Sequence, residues 1–251
     1  MFFQYAAAPH DGQSPLISVV IPTYNERDNI ERLVQTLLNV CSPTPTEVIV
    51  VDDGSPDGTS ELARGMSDLD PRVKLVARQS KLGLSSAVYA GAAVASGRYV
   101  CVMDADFSHD PEEVPQMLAH AQQGYAVVIG SRYAKGSAFI GQPLTRRAIS
   151  YVLNLAARII LRIRARDALT GFAIVERDVL LATPTRYAAG GFKWLIELLA
   201  TQRDLQVTEW PIIFRDRTAG VSKASAKEAT SFAILCGRLL LWKVKGRMQV
   251  R

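Results

Sequence analysis

The sequence contains no cysteine pair at metal or redox spacing. Cys41, Cys101 and Cys236 lie far apart and match no Cys-x-x-Cys or zinc pattern, which argues against a disulfide framework and for a reducing, cytosolic setting. Long apolar runs are missing too. The apolar stretch Ala229 to Trp242 is 14 residues long and interrupted by Arg238, whereas a membrane span takes about 20. The first 14 residues lack the basic and apolar regions of a secretory signal and are expected to form a flexible tail. No Gly-x-Gly-x-x-Gly follows the first β-branched run, which weighs against a Rossmann oxidoreductase, and no internal repeat is visible. What is present, 48% hydrophobic and 21% charged residues among 251, fits one α/β domain over 15–227 and a basic amphipathic segment over 228–251.

Charge is distributed unevenly. The chain carries +5 overall, but residues 221–251 hold seven basic side chains against one acidic, a local +6 that leaves the first 220 residues at −1. A second cluster, Arg146, Arg147, Arg158, Arg162, Arg164 and Arg166, threads through and just past the helical pattern Thr145 to Ile163. There Ile149, Val152, Leu153, Ala156, Ile159, Ile160 and Ile163 share one face. Basic charge beside apolar surface suits anionic lipid headgroups, with nucleic acid as the competitor on charge alone. Phe232, Leu235, Leu239, Leu240 and Trp242 are expected to add to a peripheral membrane surface, the alternative being that they complete the soluble core.

Short β-branched runs at Leu16 to Pro22, Glu47 to Val51, Val73 to Ala77, Tyr99 to Met103 and Ala126 to Ile129 alternate with helical patterns at Asn29 to Val40, from Thr59, and at Ser85 to Ala95. That alternation implies a mostly parallel sheet whose ligands lie at the carboxyl ends of the strands. Two acidic motifs fall at such ends. In Asp104-Ala105-Asp106 the carboxylates stand at i and i+2, on one side of an extended backbone, where they can reach a single hard cation such as Mg²⁺ or Mn²⁺. An isolated Asp-x-Asp more often caps a turn. The glycine-rich turn Asp52-Asp53-Gly54-Ser55-Pro56-Asp57-Gly58-Thr59 offers Asp53 to a base or ribose, while Asp57 and Thr59 cap the following helix. His109 offers a ligand or a base, but a lone histidine beside Asp110-Pro111 more often decorates a helix start.

Pro22-Thr23-Tyr24-Asn25-Glu26, the Asp52 to Thr59 turn, Asp104-Ala105-Asp106 and Gly130-Ser131-Arg132-Tyr133, in this order, resemble the family 2 inverting glycosyltransferases, within it the polyprenol-phosphate (dolichol-phosphate) mannosyltransferase group. Arg146 with Ser150, Asp167 with Thr170-Gly171-Phe172, Gly191-Phe192-Lys193 with Glu197, and Arg217 through Ser222-Lys223 extend the likeness over Ile17 to Lys223. The resemblance implies a GT-A fold, GDP-mannose as donor, a polyprenyl phosphate as acceptor, and work at the cytoplasmic face of a membrane. Pro22, Tyr24, Glu26, Val51 and Asp53 are then expected in the nucleotide pocket, and Asp104, Ala105 and Asp106 at the metal and diphosphate. Arg132, Arg217 and Lys223 would face phosphates and Arg146 the acceptor phosphate, with Asp106, Arg132 and Arg146 as the catalytic residues. Phe107-Ser108-His109 departs from relatives that carry a longer polar ligand after the second aspartate, and Thr170 stands where serine is frequent.

Several alternatives stay open in the sequence. UDP-glucose could replace GDP-mannose, since carboxylate and arginine chemistry does not read the configuration at C2. Membrane attachment could come from the chain's own surface or from a small membrane subunit. A non-catalytic module holding nucleotide-sugar or anionic lipid is the competing class. For transfer to a phosphate monoester no protein base is required, because the second ionisation near pH 6 already makes the acceptor a dianion.

Overall fold

The computed structural model describes residues 15–183, 194–202, 204–216 and 232–239. In chain order the elements are β1 (Ile17–Thr23), α1 (Arg27–Val40), β2 (Thr46–Asp52), α2 (Thr59–Leu69), β3 (Val73–Ala77), α3 (Leu84–Val94) and β4 (Tyr99–Val102). There follow α4 (Val114–Gln122), β5 (Val127–Ser131), β6 (Ala138–Ile140), α5 (Leu144–Leu161), β7 (Ala173–Glu176), α6 (Arg177–Leu181), α7 (Trp194–Thr201), β8 (Val207–Pro211) and β9 (Ile213–Arg215). A further helix, α8, covers residues 232–239.

Seven strands form one sheet in the order β3-β2-β1-β4-β7-β5-β8. All neighbours are parallel except β7, which runs antiparallel between β4 and β5. The sheet is therefore mostly parallel, as the alternating pattern requires. Period-two alternation sends side chains to opposite faces. Val20, Ile49, Val51, Val100 and Val102 pack with α3, α5, α7 and α8, whereas Ile17, Val19, Ile21, Val48 and Val50 pack with α1, α2 and α4. Both faces are covered, which explains why β1 and β2 read as unbroken apolar runs.

Helix α8 corrects one expectation. Phe232, Leu235 and Leu239 are buried, at 5%, 8% and 0% exposure, and belong with Cys236 to the core beneath the sheet. Their apolar face finds protein, so these three side chains complete the soluble core instead of inserting into a bilayer. Leu240 and Trp242 lie outside the described residues. Helix α5 behaves in the opposite way. Its buried face is only Asn154, Ala157 and Leu161, while Leu144, Ile149, Tyr151, Val152, Leu155, Ile159 and Ile160 are exposed. Among the described residues no helix is long and apolar enough to cross a membrane.

Candidate active site

The carboxyl ends of β1, β2 and β4 open toward one set of loops. Thr23 at the end of β1 is in register with Asp52 at the end of β2, and its hydroxyl donates to Asp52 Oδ1 at 3.0 Å. Asp52 also accepts from the Ser55 N–H, Ser55 hydroxyl and Ser60 hydroxyl, so this fully buried carboxylate is a structural knot that folds the glycine-rich turn. Gly54 and Gly58 sit at φ +71° and +91°, conformations that side-chain-bearing residues rarely adopt. The turn is stapled to the β1–α1 loop: the N–H groups of Asn25, Glu26 and Arg27 donate to Ser55, Thr59 and Asp57. Asp57 accepts from the Thr59 N–H and hydroxyl at the start of α2.

Asp53 is 5% exposed. One oxygen pairs with the Arg78 guanidinium and the other accepts from the Leu82 and Gly83 N–H groups, each at 3.1 Å. Arg78, absent from the sequence reading, is held further by Ser86 and the Gly83 carbonyl. A loop arginine gives no local signal of such a role. Tyr24, 39% exposed, carries the Lys81 ammonium 3.7 Å from its ring centroid, so the loops after β1 and β3 meet above Asp53. Pro22 is half-buried, Glu26 accepts from the Asn29 amide at 3.0 Å, and the Val51 side chain is buried in the core against α3. The Val51 carbonyl accepts from the Thr23 hydroxyl at 3.3 Å.

Beyond β4, Ala105 is buried and Asp106 is 6% exposed with Oδ1 accepting from the Ser108 N–H at 3.0 Å. The Asp104 side chain is 30% exposed. His109 precedes the helical turn that begins at Pro111 and is buried between the rings of Phe172 and Phe214, at 5.1 and 5.5 Å. Its Nδ1 lies 3.9 Å from Asp104 Oδ2 and makes no hydrogen bond. Burial pushes its pKa down, against the pull of the Asp104 and Asp106 charges. Gly171 presses on the same carboxylate: a Cβ there would stand 2.9 Å from Asp104 Oδ2. Among the described residues no group of three His, Cys, Asp or Glu side chains forms a ready cation cage.

Arg132 follows β5 and is bound by Asp167, with its N–H and Nε donating to Oδ2 at 2.9 and 2.8 Å and Nη2 to Oδ1 at 2.8 Å. Burial alone disfavours the guanidinium, but the Asp167 charge and hydrogen bonds outweigh it and hold Arg132 above its ordinary value. The Asp104 charge acts on it in the same sense, so Arg132 belongs to one electrostatic cluster with Asp104, Asp106 and His109. Arg146, in the first turn of α5, lies 3.6 Å from Asp216. Arg217 and Lys223 lie outside the described residues.

Known proteins resemble this chain in sequence and in fold. The sequence pattern described as "Glycosyl transferase family 2" matches residues 18–182. A "Dolichol-phosphate mannosyltransferase" of Pyrococcus furiosus is 38% identical over 229 residues, 90% of this chain, which spans 64% of that relative's length. A "Polyprenol monophosphomannose synthase" of Mycolicibacterium smegmatis is 35% identical over 237 residues, covering 92% of this chain and 88% of the relative. Among solved structures, glucosyl-3-phosphoglycerate synthase of Mycobacterium tuberculosis, in complex with Mn²⁺, UDP and glucosyl-3-phosphoglycerate, superimposes with a TM-score of 0.65 at 22% identity. That match covers 89% of this chain and 80% of the other. The likeness shows the GT-A type of fold. With the family pattern covering six of the seven strands of the sheet and both acidic motifs, the chain belongs to glycosyl transferase family 2.

Proposed function

We propose that the chain transfers mannose from GDP-mannose to a polyprenyl phosphate, with inversion at the anomeric carbon. The observation that carries this reading is the grouping of Asp104 and Asp106 at the end of β4 with Arg132, while Arg146 stands on the helix whose outer face is apolar. The names of the two curated relatives support the sugar and the lipid class. A divalent cation, Mg²⁺ or Mn²⁺, fits the residues present. The donor set is two hard carboxylates, one of them partly accessible, and the unpartnered Nδ1 of His109 faces that same carboxylate. A cation that keeps waters and takes phosphate oxygens needs no complete protein cage.

Asp104 and Asp106 would hold the cation, which when bound neutralises charge on the departing diphosphate. The residues of the chain do the rest. Asp167 fixes Arg132 in one orientation, so its charge needs no reorganisation as negative charge develops. Arg146 would hold the acceptor phosphate on the opposite side of the anomeric carbon. Two anions must meet there, and cations on both sides keep repulsion from deciding the outcome. The acceptor's own dianionic oxygen attacks, so no side chain need remove a proton.

The acceptor's hydrocarbon is confined to a bilayer, so the cleft must work at headgroup level. Exposed Ile149, Val152, Ile159 and Ile160, flanked by arginines, suit peripheral docking at the cytoplasmic face. Incubation with labelled GDP-mannose, a short polyprenyl phosphate and Mg²⁺ or Mn²⁺, followed by solvent extraction, tests the reading. Labelled lipid is expected. Label that appears in the lipid only from UDP-glucose would replace the donor, and none from either would defeat the proposal.

A further inference from the structure

Asn154 is the only polar side chain among the three buried residues of α5. Asparagine is a weak helix former, and a buried amide is tolerated only when it is hydrogen-bonded. Here it is well satisfied. Nδ2 donates to the Ser150 carbonyl at 3.1 Å and to Asp167 Oδ1 at 3.2 Å, and Oδ1 accepts from the Leu169 N–H at 3.1 Å. The Asp167 oxygen it reaches is the one that also accepts from Arg132 Nη2. Leu169 is two residues from Gly171, whose backbone abuts Asp104.

We propose that Asn154 is a positioning residue that ties α5 to both ends of the reaction site, holding Asp167 for Arg132 and the 167–171 turn for Asp104. The inference rests on the reading of Arg132 and Asp104 as the anion- and cation-handling groups given above. Its consequence is a mechanical link. The helix that presents Arg146 and the exposed apolar face cannot shift against the sheet without moving Asn154, and through it the Arg132 pair. Seating α5 on lipid is thereby felt at the diphosphate end of the cleft.

N154D in the full chain tests this. The substitution keeps the shape and an acceptor for the Leu169 N–H, but it replaces the donor toward Asp167 with a second carboxylate. Asp167 already accepts from Arg132, and Glu209 holds its N–H, so a second carboxylate competes with Asp167 for the guanidinium. At pH 8, kcat is expected to fall about tenfold or more, as for other small misplacements of catalytic groups, with the KM for GDP-mannose little changed. N154A, which removes the donor without adding a charge, should show the same split between kcat and KM. Arginine Nε–H NMR reads the Arg132 pair without turnover: its resonance should shift or disappear in N154D. An Arg132 resonance identical in wild type and N154D, or N154D activity within twofold of wild type at pH 8, would overturn the positioning role. The NMR arm decides even if the wild type labels no lipid.

Discussion

Gly171 lies so close to Asp104 that a single added methyl would stand 2.9 Å from Oδ2 and 3.1 Å from Oδ1. G171A must therefore displace a carboxylate expected to hold the cation. A shift of a fraction of an ångström at a reacting centre is expected to lower turnover about 10- to 100-fold. Overpacking at the edge of the core should cost only about 1–3 kcal/mol. Steady-state rates beside thermal melting separate the two, and full activity in a destabilised G171A would show that Asp104 tolerates the move.

R146A should weaken use of the lipid phosphate and spare the donor. A hydrogen bond to a charged group contributes about 1.5–3 kcal/mol, so kcat/KM for the acceptor should fall roughly 10- to 100-fold. Calorimetric affinity for GDP-mannose should stay within about twofold, since Arg146 stands on α5, where it pairs with Asp216. Equal loss on both sides would move Arg146 away from the acceptor.

Much of this site could be read from the sequence, and the exceptions share a cause. The runs that became β1 to β5 and the outer face of α5 carry local periodicity. Strand β7 has four residues and wedges antiparallel between β4 and β5, a pairing set by long-range contacts and not by local pattern. Arg78 and His109 looked ordinary because partners distant in the chain, Asp53 and the rings of Phe172 and Phe214, give them their roles. Asn154 did carry a signal, a lone amide in an apolar helix, which could have been followed to a buried partner.

The outer face of α5 offers a test of docking that leaves the core alone. Val152 and Ile159 are 60% and 69% exposed, so V152E/I159E should change stability by no more than about 1 kcal/mol. Flotation with anionic vesicles at low salt should show binding reduced about tenfold or more, because a charge replaces each inserted apolar group. Unchanged flotation would mean that α5 is not the docking face.

His109 sets a pH limit on stability. In the folded chain burial keeps its pKa below 6.5, whereas the unfolded imidazole titrates near 6.5. Below about pH 6.5 the unfolded chain therefore binds a proton that the folded chain resists, so stability falls as pH is lowered. Denaturant midpoints between pH 7.5 and 5.5 should show that slope flattened in H109F, which keeps a ring between Phe172 and Phe214. An identical slope in both proteins would assign the acid limb to other groups.

The most direct measurement is the mass of the lipid formed when GDP-mannose and isotopically heavier UDP-glucose compete for one pool of polyprenyl phosphate, with and without a chelator. The account predicts a polyprenyl phosphate heavier by one light hexose, abolished by the chelator and absent in D106A. A heavy hexose on the lipid, or product that persists undiminished in the chelator or in D106A, would contradict it.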